Sequence, residues 1–265
     1  LEGQYAPDLI HAKALEFIEK HQDEPFFLYY PSVIPHAELK VTASYMDPYR
    51  GKFLPEKVFN GRDSGSGYKM GAYGSQAEGH AAFVGMVDYL DQTVGEVLAK
   101  LEDLGLSEKT IVFFSSDNGP HMEGGADPKY FNSNGIYKGF KRDLYEGGIR
   151  VPLIVRWPGQ IEPGSVSEHV GAFWDMFPTF TELAGAENPT YLDGISMLPC
   201  LIDHGKQEEH EYLYWEFHER KGRVAVLMGD WKGIRYNVNM DPASPLELYN
   251  LKDDPGEENN VAGHH

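Results

Sequence analysis

The chain has 265 residues, of which 41% are hydrophobic and 13% aromatic, enough to bury a large core. Its 41 acidic and 23 basic residues give a formal net charge of -18, which repels polyanions and argues against a nucleic-acid partner. No apolar run approaches the ~20 residues that cross a bilayer, so no membrane insertion is expected, and the single cysteine excludes an internal disulfide framework.

The first part of the chain is predicted to alternate helices and strands. Apolar residues recur at helical spacing over residues 8–20 and 80–104. Residues 26–30 form a short aromatic run closed by Pro31, which is typical of a strand. Between them, residues 41–79 have no sustained periodicity and are predicted to form a long surface loop, a kind of segment that is often functional.

The middle of the chain continues this pattern, and its end differs from it. Residues 111–114 read as a strand buried on both faces, residues 151–157 as a second strand and residues 173–185 as a helix. After about residue 199, short aromatic or β-branched runs separated by turns indicate a small antiparallel sheet, with strands at residues 211–217, 223–228, 231–236 and 246–251.

These elements predict an α/β fold: a layered, mostly parallel sheet flanked by helices, with a small C-terminal antiparallel α+β subdomain. The predicted division places the α/β domain at residues 1–199 and the subdomain at residues 200–265.

The strand over residues 111–114 ends in chemistry-bearing side chains. Asp117 and Asn118 follow it, and the next two residues, Gly119 and Pro120, prevent its continuation. In an open α/β sheet, ligands bind where strands end. One carboxylate and one amide oxygen suit a hard cation such as Ca²⁺ or Mg²⁺ better than zinc. The alternative is an Asx-type turn that only closes the strand.

Two further segments carry candidate functional residues. A glycine-punctuated loop over residues 134–150 contains Lys138, Lys141 and Arg142, which could hold an anion in this acidic chain. The alternative is a solvated loop whose cations contact water. His36 lies past the aromatic run, beside Pro35, and could donate to a substrate oxygen or carry a proton, although a lone histidine is more often structural.

Taken together, these motifs resemble the sulfatase family of the alkaline-phosphatase-like superfamily. The resemblance rests on Pro35-His36, on Ser-Asp-Asn-Gly at residues 116–119 and on the Gly-Phe-Lys-Arg-Asp-Leu-Tyr-Glu-Gly-Gly-Ile-Arg-Val-Pro run at residues 139–152. It extends to closing segments at residues 175–179, 183–185, 193–196, 248–251 and 254–257. Asp-Asn-Gly-Pro-His, with Glu-Gly-Gly behind it, looks most like bacterial arylsulfatase or N-acetylgalactosamine-6-sulfatase-like members.

The resemblance implies a sulfuric ester hydrolase that cleaves the sulfate ester of an aryl or carbohydrate alcohol. Asp117 and Asn118 would be calcium ligands, with Mg²⁺ as the other candidate ion. Lys141 would bind a sulfate oxygen and help the leaving group, and His36 would contact the sulfate and assist departure of the alcohol. These roles are chemically sensible because negative charge spreads over the sulfate oxygens in the transition state.

The resemblance also implies two further substrate contacts, His121 at the rim of the pocket and Lys138. The expected partner is a sulfated small molecule or glycan, and the expected location of the parent protein is periplasmic or secreted. The sequence does not specify the sulfated substrate or the oligomeric state.

One departure from the family pattern is decisive for the expected activity. Sulfatases use a formylglycine made from a Cys/Ser-x-Pro/Ala-x-Arg motif, and no such motif occurs in this sequence. Cys200 follows a proline and is expected to be a buried apolar thiol. We therefore expect the chain to be the later portion of a sulfatase, truncated at both ends and inactive by itself. The alternatives are a related metal-dependent phosphoester or phosphonate hydrolase and a non-catalytic sulfatase-like protein.

Overall fold

A computed structural model of the chain describes residues 3–265. It divides into two compact units: the first contains residues 3–110 and 120–133, and the second contains residues 111–119 and 134–265. The predicted boundary between residues 199 and 200 falls inside the second unit and stays a prediction about domain organisation. No helix within the described residues is both long and apolar enough to span a membrane.

The first unit is built on two long helices. Helix α1 spans Ala6–Lys20 and helix α3 spans Gly79–Asp103, while the short helix α2 spans Ala43–Met46. The predictions of the two long helices are confirmed, because their apolar side chains recur on one face and are buried there. The core of this unit comprises Ile34, Leu39, Met46, Ala81, Ala82, Met86, Tyr89 and Ala126.

The predicted strand over residues 26–30 is not formed in the structure. The segment is extended, with Phe27 65% exposed and Tyr29 76% exposed, while the alternate side chains are half-buried. In the part of the chain that the structure describes, no other strand pairs with its backbone. Exposed and half-buried side chains therefore alternate as they do in a strand, but the described residues contain no neighbouring strand to pair with this segment.

The long loop predicted over residues 41–79 is observed. Besides α2 it contains two 3-10 turns, at Asp47–Tyr49 and Gly65–Gly67, and an isolated antiparallel bridge between Phe59 and Gln76. The bridge closes the base of an excursion whose tip is exposed.

The second unit begins with a two-stranded sheet. Strand β1 spans Val112–Ser115 and strand β2 spans Leu153–Arg156, and they pair antiparallel. The prediction of a mostly parallel sheet is thus not confirmed, because every strand pair among residues 3–265 is antiparallel. The strand predicted to be buried on both faces is only half-buried, and within residues 3–265 it pairs with β2 alone.

Short helices follow these strands in the chain. Helix α4 spans Glu146–Ile149, α5 spans Met176–Leu183 and α6 spans Leu198–Leu201. A 3-10 turn at Phe173–Asp175 leads into α5, so the helix predicted over residues 173–185 is present. Helix α5 packs on the first sheet through an edge-to-face contact between Phe180 and Phe113.

The remaining strands form a four-stranded meander. They are β3 at Leu213–Phe217, β4 at Arg223–Met228, β5 at Trp231–Tyr236 and β6 at Leu246–Asn250. All four were predicted, and each pairs antiparallel with the next strand along the chain. The core beneath them comprises Leu144, Ala225, Ile234 and Tyr249. The segment before α4 therefore packs on this sheet through Leu144.

Candidate active site

The loop after β1 presents the two predicted metal ligands. Asp117 is exposed and Asn118 is half-buried. The side-chain amide nitrogen of Asn118 donates to the backbone carbonyl oxygen of Gly119 at 2.9 Å. The Ser116 hydroxyl donates to the backbone carbonyl oxygen of Asn118 at 2.9 Å. With its nitrogen engaged, the Asn118 side chain keeps its oxygen available as an acceptor.

Gly119 fixes this loop against helix α4. Its N–H donates to the carbonyl oxygen of Gly148 at 2.9 Å. A Cβ atom at position 119 would overlap the carbonyl oxygen of Gly147, so only glycine fits this approach of two backbones. The position of Asp117 and Asn118 thus depends on the position of α4.

The loop that carries Lys141 wraps around the same helix. The N–H of Gly147 donates to the Lys138 carbonyl at 2.7 Å, and a Cβ atom at Gly148 would overlap the carbonyl oxygen of Asp143. The Arg223 side chain donates to the carbonyl oxygen of Arg142 at 2.6 Å and to Asp143 Oδ1 at 2.8 Å. The backbone on both sides of Lys141 is therefore held firmly.

Lys141 itself is half-buried, and its ammonium group makes no ion pair or hydrogen bond within residues 3–265. A lysine whose stem is partly buried and whose ammonium has no partner is free to bind an anion from outside. Both the Lys141 loop and the Asp117–Asn118 loop contact α4, so one short helix holds the candidate cation and the candidate metal ligands.

The donor set fits a hard cation in part. Asp117 and Asn118 contribute oxygen atoms, which Ca²⁺ and Mg²⁺ prefer, but Ca²⁺ takes about 6–8 oxygen ligands. Among the described residues, no group of three or more His, Cys, Asp or Glu side chains lies close enough together to hold a metal ion. The two residues could therefore hold only one side of such an ion.

The predicted histidines lie together in the first unit. The rings of His36 and His121 stack with their centroids 4.9 Å apart. His36 Nδ1 lies 2.8 Å from the Ala37 carbonyl oxygen and donates to it, which leaves Nε2 for other partners. The Tyr73 ring, from the long loop, meets His36 edge-on at 6.1 Å between centroids.

His121 is more enclosed than a residue at a pocket rim. Only 9% of it is exposed, and its Nε2 lies 3.1 Å from the Pro35 carbonyl oxygen. Its Nδ1 accepts from the Glu123 N–H at 3.2 Å and lies 3.2 Å from a Glu123 carboxylate oxygen. Substrate contact by His121 stays a prediction, and these bonds favour a role in holding His36. Sequence reasoning missed Glu123, although its spacing of two residues from His121 is a usable signal.

Lys138 is anchored inside the second unit. Its ammonium lies 4.0 Å from the Tyr145 ring centroid and 5.2 Å from that of Tyr249, and it donates to the Glu257 carbonyl oxygen at 3.2 Å. Substrate binding by Lys138 also stays a prediction, but these contacts favour an internal anchor.

Cys200 was predicted to be a buried apolar thiol and is less enclosed than that. It is half-buried, its Sγ donates to the Met197 carbonyl oxygen at 3.1 Å, and burial raises the pKa of the thiol. A raised pKa disfavours the nucleophilic thiolate.

Sequence comparison identifies close relatives of the chain. Residues 2–186 match the family described as Sulfatase, and residues 135–265 match the family described as N-sulphoglucosamine sulphohydrolase, C-terminal. The chain is 35% identical to rat steryl-sulfatase over 87% of its own length and 36% of that protein. It is 30% identical to human arylsulfatase A over 99% of its length and 49% of that protein.

Structural comparison gives the same result. The crystal structure of Ps i-CgsB in complex with k-i-k-neocarrahexaose superposes with a TM-score of 0.79 at 27% identity, over 99% of this chain and 52% of that one. The phosphonate monoester hydrolase of Agrobacterium radiobacter superposes with a TM-score of 0.69 at 19% identity, over 98% of this chain and 56% of that one, and shows the fold alone.

The fold is therefore the alkaline-phosphatase-like fold that sulfatases and phosphonate hydrolases share. Within this class, the match over residues 2–186 decides the family: the chain belongs to the sulfatase family. It spans about a third to a half of the length of these curated relatives.

Proposed function

We propose that the protein hydrolyses the sulfate ester of an aryl or carbohydrate alcohol and that this chain supplies part of the apparatus. The observation that carries the proposal is half-buried Lys141, whose ammonium has no ion-pair or hydrogen-bond partner within residues 3–265, on a loop that contacts helix α4 as the Asp117–Asn118 loop does. Sulfatase relatives support the reaction class, because arylsulfatase A and N-acetylgalactosamine-6-sulfatase are among the proteins to which the chain is similar.

Asp117 and Asn118 hold the resident divalent ion through one carboxylate and one amide oxygen, and Ca²⁺ fits this pair, with Mg²⁺ as the alternative. When bound, the ion supplies positive charge that stabilises the negative charge developing on the sulfate oxygens. Lys141 binds one of these oxygens and adds a second positive charge that is fixed before the reaction begins.

His36 contacts the sulfate and assists departure of the alcohol. Because its Nδ1 carries the hydrogen that is donated to the Ala37 carbonyl, Nε2 is the ring nitrogen left to take up or give a proton. His121 stacks on the ring and, through its bonds to Pro35 and Glu123, limits its rotation. His121 is thus proposed as a support for His36 and Lys138 as an anchor of the Lys141 loop.

No formylglycine motif occurs in the sequence, so this polypeptide is proposed to bind calcium and sulfate without sustained turnover. The substrate proposed for the whole protein is a sulfated small molecule or glycan, and the proposed location is periplasmic or secreted, as in the family. The related phosphoester hydrolase remains the competing reaction class because the two enzyme types share the fold.

Calorimetric titration of this chain with inorganic sulfate, in the presence of Ca²⁺, tests the proposal. Lys141→Met should weaken sulfate binding about 10-fold or more, because a charge-assisted hydrogen bond is lost. Lys252→Met, at an exposed lysine of the same unit, is the matched control and should bind as the wild type does.

Three results would count against the proposal: equal sulfate affinity in both variants, tighter binding of phosphate than of sulfate, or no effect of Asp117→Ala on Ca²⁺ affinity. Incubation of the chain with an aryl sulfate and with the matching aryl phosphate completes the test. Sustained release of the alcohol from either ester would contradict the expected lack of turnover.

A further inference from the structure

A buried group of charged side chains joins helix α4 to the C-terminal part of the chain. Lys232, on β5, has no exposed surface, and its Nζ lies 2.7 Å from Glu146 Oε1 and 3.2 Å from Glu257 Oε1. We call Glu146, Lys232 and Glu257 the buried triad. Charged groups are rarely enclosed in this way, and mutual pairing is what makes their burial tolerable.

The triad also binds the backbone of α4. Glu257 Oε2 accepts a hydrogen bond from the Glu146 N–H at 2.6 Å, which satisfies a donor at the start of the helix. The first residue of α4 is thus held at two points, its side chain by Lys232 and its backbone by Glu257. The Glu257 carbonyl in turn accepts a hydrogen bond from Lys138, whose own carbonyl binds the N–H of Gly147.

Helix α4 transmits this fixation to the Asp117–Asn118 loop. The Gly148 carbonyl accepts a hydrogen bond from the Gly119 N–H, and the Gly147 carbonyl lies so close to Gly119 that position 119 does not accommodate a Cβ atom. A close-packed contact of this kind cannot absorb a shift of α4 by local compression, so the loop moves with the helix.

We propose that Lys232 and Glu257 are positioning residues that set the calcium affinity of the Asp117–Asn118 pair by fixing α4. The proposal rests on the function proposed above. Within residues 3–265, neither side chain forms a hydrogen bond or an ion pair with Asp117, Asn118 or Lys141, so α4 is the packed element that connects them to the loop. The second unit's C-terminal sheet then has a role in the site beyond its own stability. Residues that orient metal ligands typically contribute about 10–100-fold to metal affinity.

The test compares Ca²⁺ affinity, measured by calorimetry on the whole chain, across four variants. Lys232→Met and Glu257→Ala should weaken binding about 10-fold or more. Glu257→Gln keeps an acceptor for the Glu146 N–H and leaves the Lys232–Glu146 contact in place, so it should bind within about 3-fold of wild type. Leu213→Ala, at a buried position on β3 outside the triad, is the control for general destabilisation.

Hydrogen exchange of residues 116–119 gives a second reading that needs no metal. Lys232→Met and Glu257→Ala should speed exchange of the Gly119 amide about 10-fold or more, while Leu213→Ala leaves it near wild type. If Lys232→Met does not fold, the proposal is tested by Glu257→Ala and Glu257→Gln alone: Gly119 amide exchange should be faster in the first variant and near wild type in the second.

Wild-type exchange at residues 116–119 in both Glu257→Ala and Lys232→Met would overturn the proposal. An equal loss of Ca²⁺ affinity in Leu213→Ala would also overturn it, because general destabilisation would then explain the effect. If wild type binds no Ca²⁺, the proposed function fails, and the exchange measurement still decides whether the triad positions the loop.

Discussion

Two lysines three positions apart, Lys138 and Lys141, have opposite surroundings. Lys138 lies between two tyrosine rings and donates to a backbone carbonyl, whereas the ammonium of Lys141 has no recorded partner in the described part of the chain. The sequence alone does not distinguish the two roles, because both lysines lie close to Gly139 in the same basic loop. Their contacts favour a structural role for Lys138 and are compatible with the anion-binding role proposed for Lys141.

Lys138→Met should therefore lower stability while leaving sulfate affinity near wild type. The loss of cation–π contacts and of the bond to Glu257 is expected to cost about 1–2 kcal/mol of unfolding free energy. Guanidinium denaturation measures the first quantity and calorimetry with sulfate the second. A loss of sulfate affinity without a loss of stability would instead make Lys138 a substrate ligand.

Glu257 makes stability depend on pH with a defined sign. Burial raises the pKa of its carboxyl group, more than the neighbouring Lys232 ammonium lowers it. The native state therefore holds this proton more tightly than the unfolded state does, so the stabilising contribution is complete below the unfolded pKa of about 4.3. It is lost as the pH rises through the native pKa.

Glu257→Gln removes this dependence. The unfolding free energy of wild type minus that of Glu257→Gln should fall as the pH rises from 4 upward. Parallel denaturation series at several pH values measure it, with Glu258→Gln, at an exposed neighbour, as the control. A difference that grows with pH would mean that the pairing with Lys232 outweighs burial.

Helix α4 is the secondary-structure element that holds the candidate site in place. It is only four residues long, yet the loop after β1, the Lys141 loop and the buried triad all contact it. Such a short helix has little stability of its own, so its conformation is set by these tertiary contacts.

Gly119→Ala should show how tightly α4 and the loop are packed. The added methyl group would overlap the Gly147 carbonyl, so we expect a loss of about 1–3 kcal/mol and weaker Ca²⁺ binding. Gly95→Ala is the contrasting control, because Gly95 lies inside α3 with open space around it and should gain about 0.5–1 kcal/mol. Thermal unfolding and calorimetry measure both variants, and an unperturbed Gly119→Ala would contradict the close contact.

The net charge of -18 is expected to lower the stability of the folded chain. Self-repulsion among like charges should make the chain more stable at moderate than at low ionic strength. Thermal unfolding at neutral pH in about 10 mM and about 200 mM sodium chloride measures the effect, since these concentrations bracket the range over which screening changes most. The increase should disappear near the isoelectric point of about 4.9, and its persistence there would point to specific ion binding.

Sequence reasoning recovered the elements that depend on local pattern. The two long helices follow from apolar periodicity, and the four strands of the meander follow from short runs and turns, with each strand paired to the next along the chain. Residues 26–30 failed as a strand because a strand also needs a partner, which a local pattern does not specify.

The candidate site, whose residues stay predictions, could be read from the sequence only in part for a similar reason. The Asp117–Asn118 pair and Lys141 stand in recognisable motifs, so their chemistry was visible in the sequence. The buried triad joins residues separated by 86 and 111 positions, and nothing near Lys232 in the sequence distinguishes it from a solvated lysine. Long-range electrostatic pairing of this kind becomes visible only in three dimensions.

The environment of Cys200 gives the second unit a built-in reporter. Because it is the chain's lone sulfhydryl, iodoacetamide has a single cysteine to modify. Shielding and the raised pKa should keep that alkylation slow while the surrounding segment stays closed. The kinetics of adduct formation, followed by mass spectrometry, would then time the transient opening of this region without any engineered label.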